Sequence, residues 1–292
     1  MIEEFQIDKQ LVRLAFEKSA TGYDEAAVLQ REIGDRLLER LEYIKFTPAR
    51  ILDVGAGTGY CTQALARHYT KAQVYALDLA HNMLRKAQRS VSLWQRLNKR
   101  FAYIAGDAEQ LPFANASIDM IISNLAIQWC NDIDQVFAEF RRILAPGGMV
   151  LFTTFGPDTL KELRASWAAA DEVTHVNQFY DMHDIGDALL RHRFAEPVMD
   201  TEYLTMTYRD AMTLMKDLKQ LGAHNVTRGR SRHLTSRTQL RKMLQAYEQF
   251  RHDGLLPASY EVVYGHAWSV EEKTGVTKSA VTIPLTQITG QP

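Results

Sequence analysis

Cysteine is scarce. Cys61 and Cys130 are the only two in 292 residues, too few for a disulfide framework and not spaced as metal ligands, which fits a reducing cytoplasm. No apolar run approaches the about 20 residues of a membrane span. The opening MIEEFQIDKQ is acidic where a signal or transit peptide would be basic. Net charge is nearly absent too: 34 Lys and Arg against 35 Asp and Glu leave a formal −1. No global field therefore recruits nucleic acid or an anionic membrane, and any charged docking must be local. Internal repeats and low-complexity segments are missing. One further absence is local: residues 121–134, IISNLAIQWCNDID, hold no histidine, lysine or glutamate, and their acids follow only after the apolar turn. What remains, 46% hydrophobic and 24% charged residues, is the composition of a globular cytosolic protein long enough for a large core with a cap.

Two helical stretches within 8–46 are broken by SATGYD at 19–24. Strand and helix patterns then alternate: strands at 50–57, 73–79, 101–108, 118–125 and 148–155, helices at 61–69, 81–93 and 132–144. Such alternation predicts an α/β fold, a doubly wound and mostly parallel sheet with helices on both faces. Beyond it, helices are expected at 158–171, 184–194, 209–222 and 237–250, and strands at 197–208 and 258–270. The expected organisation is an N-terminal helical lid (1–46), an α/β core (47–208), a helical cap insertion (209–252), a last core strand (253–270) and a tail (271–292).

DVGAGTG places Gly55, Gly57 and Gly59 between a strand and a helix, where backbone must approach a ligand closely. A dinucleotide fingerprint wants glycine at position 60, which is Tyr60, so the spacing leans away from NAD. ILDVGAGTG resembles the first motif of class I S-adenosylmethionine-dependent methyltransferases. The resemblance implies a seven-stranded Rossmann-like sheet whose last strand runs antiparallel, and S-adenosyl-L-methionine as methyl donor, without a metal. It implies as cofactor-binding residues Asp53 ahead of the glycines, Asp78 with Leu79 at the ribose, Asp107 with Ala108 at the adenine, and Asn124 beside the methionine end. LAPGGMVLF (144–152) matches the family's turn into the fifth strand. Each residue alone has an ordinary use, Asp78 as a helix cap and Asp107 in a turn; four motifs in register over 50–155 are what carry the resemblance.

Phenol, catechol or amine acceptors must lose a proton, so methyltransferases acting on them carry a base or a metal near the end of the fourth strand. A carboxylate arrives ionised at neutral pH and needs none. The bare SNLAIQW stretch thus allows a carboxylate or a carbon acceptor. Across nearly the whole chain the sequence resembles the malonyl-acyl carrier protein O-methyltransferases of biotin synthesis, through residues 16–41, 123–144, 152–167, 218–225 and 260–268. That family esterifies the free carboxylate of a malonyl thioester, on acyl carrier protein or coenzyme A, so that fatty-acid elongation accepts it as a primer.

Four residues are candidates for the acceptor's end. Tyr23 is positioned to give its hydroxyl to cofactor or substrate, or is a core tyrosine. Gln128 and Trp129 follow the fourth strand and are candidates to line the transfer pocket. Arg164, on the helix after the fifth strand, is a candidate carboxylate clamp or an exposed helical arginine. Finally, RGRSRHLTSRTQLRK gathers Arg228, Arg230, Arg232, Arg237, Arg241 and Lys242 without an acid. It reads as a solvated face or as a dock for an acidic acyl carrier protein, and lacks the interleaved aromatics of a nucleic-acid surface. Two rival readings stand beside the carboxyl methyltransferase: a quinone or other small-molecule methyltransferase, and an accessory or assembly protein that keeps the cofactor pocket.

Overall fold

A computed structural model describes residues 6–91, 100–223, 225–230 and 235–270. The expected helix end at 92–93, Arg232 and the tail 271–292 lie outside the described residues. Seven strands form one sheet: β1 Arg50–Val54, β2 Gln73–Asp78, β3 Phe101–Ala105, β4 Ile118–Asn124, β5 Leu144–Phe155, β6 Phe194–Tyr208 and β7 Leu256–Ser269. Their order is β3-β2-β1-β4-β5-β7-β6. β1 to β5 pair in parallel, and β7 runs antiparallel between β5 and β6, as expected.

The central strands β1, β4 and β5 are apolar without alternation because both their faces are covered. Ile51, Met120 and Met149 pack on one face with Leu37 and Leu65. Leu52, Ile121 and Val150 pack on the other with Val136, Phe137 and Ile185. The helices that supply these residues are α3 (Val28–Glu39) and α4 (Tyr60–His68) on the first face, α6 (Ile133–Ile143) and α8 (Met182–Arg191) on the second. Since the helices following β1 and β4 depart to opposite faces, the carboxyl ends of these neighbouring strands border an open crevice, the usual ligand position in such sheets.

Several boundaries differ from the sequence expectation for local reasons. The helix expected at 158–171 is α7, Lys161–Ala168. Residues ahead of it are instead bound to β7, with Asp158 N donating to Glu261 at 2.7 Å and Leu160, at φ 55°, donating to Ser259 O at 2.6 Å. β6 starts at Phe194, not 197, and absorbs Pro197 in a register shift between Ala195 and Val198, where no ladder N–H is required.

The N-terminal helices α1 (Lys9–Ser19) and α2 (Tyr23–Ala26) and the insertion between β6 and β7 are stitched together and to the core. Ile7 bridges Thr227, and Asp8 N donates to Val226 O at 3.0 Å. Gln220, last residue of α9 (Ala211–Gln220), donates to Gly22 O at 3.2 Å. Glu17 of α1 accepts from His81 N and Asn82 N at 2.8 and 2.9 Å, capping α5 (His81–Ser90) from outside that helix. Lys86 of α5 pairs with Asp24 at 2.8 Å.

Gly265 in β7 lies opposite Phe152 of β5. A Cβ there would stand 2.3 Å from the Phe152 ring, so the glycine makes room for a fully buried phenyl. Gly265→Ala should cost about 1–3 kcal/mol through overpacking, read as a lower urea midpoint at unchanged m-value; an unchanged midpoint would refute this packing account.

Candidate active site

The crevice is floored by the loop after β1. Gly55 has φ 74°, and an added Cβ would lie 2.1 Å from the Ala126 Cβ, so only glycine lets this loop meet the end of β4. A Cβ on Gly57 would meet nothing within 4 Å, so this part of the loop faces open space. Asp78, at the end of β2, accepts from Gly57 N and Ala80 N, both at 2.8 Å. Burial pushes its carboxyl up to about 6, against the pull of those two donors. Asp53, 1% exposed at the end of β1, accepts from the Thr62 hydroxyl at 2.5 Å. Burial raises it further, to about 7.

Above the loop lies a cleft of about 890 Å³ whose walls include Asp78, Leu79, Asp107 and Ala108. Asp107 stands two residues beyond β3, in an isolated bridge with Gln110. Both its oxygens lie 2.6 Å from Lys9 Nζ, and the same ammonium meets Glu109 at 2.5 Å. Burial pulls the Lys9 pKa down, but the two carboxylates outweigh it and hold the group above its ordinary value. Lys9 therefore brings the start of α1 onto the cleft wall. Sequence reasoning missed it, because a lysine at the first position of a helix carries no mark of its partner 98 residues away.

At the other end of the cleft, Asn124 donates to Gln30 O at 2.9 Å and accepts from the Thr153 hydroxyl at 2.7 Å. The next residue, Leu125, takes φ 51° and donates to Thr153 O at 3.1 Å. Left-handed backbone at a branched side chain costs roughly 1–3 kcal/mol, and here it turns the chain from β4 into the cleft wall. Gln128 donates to Leu125 O at 2.8 Å, and Trp129 packs edge-on against Phe16, 5.3 Å between centroids. Tyr23 lines the same cleft. Burial drives its phenol pKa well up, with Asp78 and Asp24 adding to the shift, so it stays a hydroxyl donor across the physiological range. The Oε1 of Gln30, a second residue unforeseen from the sequence, is buried without a hydrogen-bond partner.

Trp129, Gln30, Phe155, Leu221 and Ala223 are shared with a second cavity of about 1260 Å³. Arg164 lines neither. Its guanidinium is turned back to Pro157 O at 2.8 Å and Thr159 O at 3.0 Å, and burial lowers its pKa. The structure thus gives Arg164 the loop after β5 as its partner. Of the basic segment, Arg228, Arg237, Arg241 and Lys242 are exposed, while Arg230 donates to Thr227 O at 2.8 Å. None of these five makes an ion pair among the described residues. No group of three or more metal-ligating side chains is gathered among the described residues, and no described helix is long and apolar enough to cross a membrane.

Residues 52–152 match the family model described as a methyltransferase domain. Among curated relatives, the malonyl-acyl-carrier protein O-methyltransferase of Gallionella capsiferriformans is 52% identical, over 91% of this chain and 93% of its own length. The protein of the same name from Laribacter hongkongensis is 53% identical over 92% of each chain. Malonyl-acyl-carrier protein O-methyltransferase 1 of Coxiella burnetii is 44% identical over 98% and 97%. Among solved structures, the YcgJ protein of Bacillus subtilis aligns at TM-score 0.58 with 15% identity, over 80% of this chain and 98% of that one. At such identity the likeness speaks to the fold alone.

The buried carboxylates impose a pH dependence on stability. Asp53 titrates near 7 in the folded chain against 3.8 ordinarily. Between those values the folded state holds more protons than the unfolded one. The stability this contributes is complete below about pH 4 and lost as pH rises through about 7, at up to about 1.4 kcal/mol per unit. Asp53→Asn should flatten that slope in urea melts at pH 5 and 7.5. Equal slopes for both chains would contradict the assignment.

Proposed function

The chain belongs to the malonyl-acyl-carrier protein O-methyltransferase family and is a methyltransferase, and from that premise we propose that it methylates the free carboxylate of a malonyl thioester, with S-adenosylmethionine as donor. The resulting ester, its charge masked, suits the priming of pimeloyl synthesis for biotin. The observation that carries the reading is the wall of the cleft: its described lining contains no histidine or glutamate, and Lys9 is held by two carboxylates. An acceptor that arrives ionised suits such a site.

The cleft's groups fit the donor. Asp78 offers a carboxylate for ribose hydroxyls and Asp107, with the backbone of Ala108, a polar edge for adenine, while the loop of Gly55, Gly57 and Gly59 lets the ligand approach the backbone. The partnerless Gln30 Oε1 and the fixed Asn124 amide suit the ammonium and carboxylate of a methionine moiety. The bound sulfonium supplies a methyl group for in-line displacement. This chain's residues aim the acceptor at it. Tyr23, kept protonated, gives a hydrogen bond without taking a proton. Gln128 lines the cleft, and Trp129 stands where the cleft borders the second cavity. The N-terminal helices and the 209–252 insertion close over the cleft and exclude water.

Arg228, Arg230, Arg237, Arg241 and Lys242 form the dock for an acidic carrier protein. This is supported by their lack of ion-pair partners among the described residues and by Asn225, which lines the second cavity three residues before Arg228.

Labelled S-adenosylmethionine offered with malonyl-acyl carrier protein, malonyl-coenzyme A or a quinone precursor should place a base-labile ester on malonyl alone. Transfer to the quinone precursor, or to none of them despite donor binding, would overturn the reading. Tyr23→Phe should lower kcat/KM by about 10- to 100-fold, the worth of one hydrogen bond to a charged group. Arg241→Glu with Lys242→Glu should raise KM for the carrier-protein substrate and weaken its salt dependence, leaving malonyl-pantetheine unaffected; an unchanged KM would exclude these two residues from docking.

A further inference from the structure

The second cavity has mostly apolar walls, Leu160, Leu163, Val176, Phe179, Met215 and Leu218 among them, with several polar side chains set into them. Two of these groups are two residues apart on one segment. The ring of His175, its side chain 15% exposed, stacks on Trp167 at 3.8 Å between centroids and 10° between planes. Its Nε2 lies 2.8 Å from Asp171 Oδ1. Asp171 is itself fixed, accepting from Val173 N and from Gln239 Nε2, each at 3.1 Å. A carboxylate only accepts, so Nε2 carries the proton toward Asp171, and Nδ1 of the neutral ring is an acceptor with no partner among the described residues. Asn177 is 8% exposed; its Oδ1 accepts from Val226 N at 3.4 Å, and its NH₂ has no partner among the described residues. Neither unpaired group is sealed in protein, and both residues line the cavity.

An acceptor and a donor two residues apart on the wall of one mostly apolar chamber complement a secondary amide, which carries one N–H and one C=O. The chamber shares Gln30, Trp129 and Phe155 with the methyl-transfer cleft, and its lining also includes exposed Lys219 and half-buried Asn225, three residues ahead of the basic segment. We propose that His175 and Asn177 are specificity-determining residues that hold an amide of the acceptor's thioester arm, so that the site selects pantetheine-type thioesters over plain alkyl ones. This rests on the malonyl-thioester reading above. Asp171 and Gln239 are then positioning residues acting through His175, and Trp167 sets the plane of its ring. The discrimination comes from polar groups that an amide-free arm leaves unpaired.

The test compares three malonyl thioesters: of pantetheine with two amides, of N-acetylcysteamine with one, and of butanethiol with none. His175→Phe keeps a flat ring for Trp167 and removes both nitrogens; Asn177→Asp keeps an acceptor for Val226 N and removes the donor. Each variant should raise KM for malonyl-pantetheine about tenfold, leave kcat within about twofold, and leave KM for the butanethiol ester and the Kd of S-adenosylhomocysteine unchanged. A KM that does not rise, or rises equally for the amide-free ester, or a loss confined to kcat, overturns the proposal while leaving the malonyl reading intact. Wild-type protein that methylates no malonyl thioester overturns both. Thermal melts of each variant with S-adenosylhomocysteine bound separate misfolding from lost recognition, and a folded variant with wild-type selectivity refutes the role of the residue changed.

Discussion

The hydrogen bond from Gly57 N to the carboxylate of Asp78 ties the glycine loop to the end of the second strand, and the shape of the crevice follows from it. Without a side chain to steer it, the loop after β1 takes its course from Asp78 and from Leu77 O, which accepts from Gly55 N and Ala56 N at 2.8 and 2.9 Å. The same bond keeps a buried acid partly compensated. Burial raises Asp53 and the charge of Asp78 adds to that shift, while Asp107 is held by the ammonium of Lys9. A protein that gathers acids at adjoining strand ends must find donors for them, and this one draws them from backbone, a threonine and the first turn of α1.

That origin explains what the sequence disclosed. Strands buried on both faces write uninterrupted apolar runs, so ILDV and DMIIS stand out, and a glycine-rich run between strand and helix marks the turn at the crevice. The positions of Asp78 and Asn124 at strand ends were legible because they close such runs. Lys9 and Gln30 were not, since their partners are fixed by how remote helices come to rest on the sheet. Arg164 shows the opposite failure. Helical spacing made it a plausible side chain for the site, but the left-handed backbone at Leu160 starts the helix late and folds the guanidinium onto carbonyls of the preceding loop. The basic run was visible as composition, whereas its proximity to the second cavity depends on contacts such as Asn225 to Thr174 O.

The two cavities differ in chemistry. The first is edged by carboxylates and turned backbone, which suit a ligand rich in hydroxyl and amine donors. The second is apolar with isolated polar groups, which suits a flexible chain of alternating methylene and amide units. Between them stands Trp129, braced by Phe16, and beside it the strained turn at Leu125.

The β7 strand lies between β5 and β6, and Ile7 pairs with Thr227. On the ribosome both facts impose an order. β6 has no neighbour in the sheet until residues 256–269 emerge, and Ile7 finds Thr227 only after more than two hundred further residues. The N-terminal helices can dock on α5 and on Asp107 well before Ile7 meets Thr227, whereas β6 keeps an unpaired edge until β7 is made. Completion of the crevice thus becomes a late event of translation.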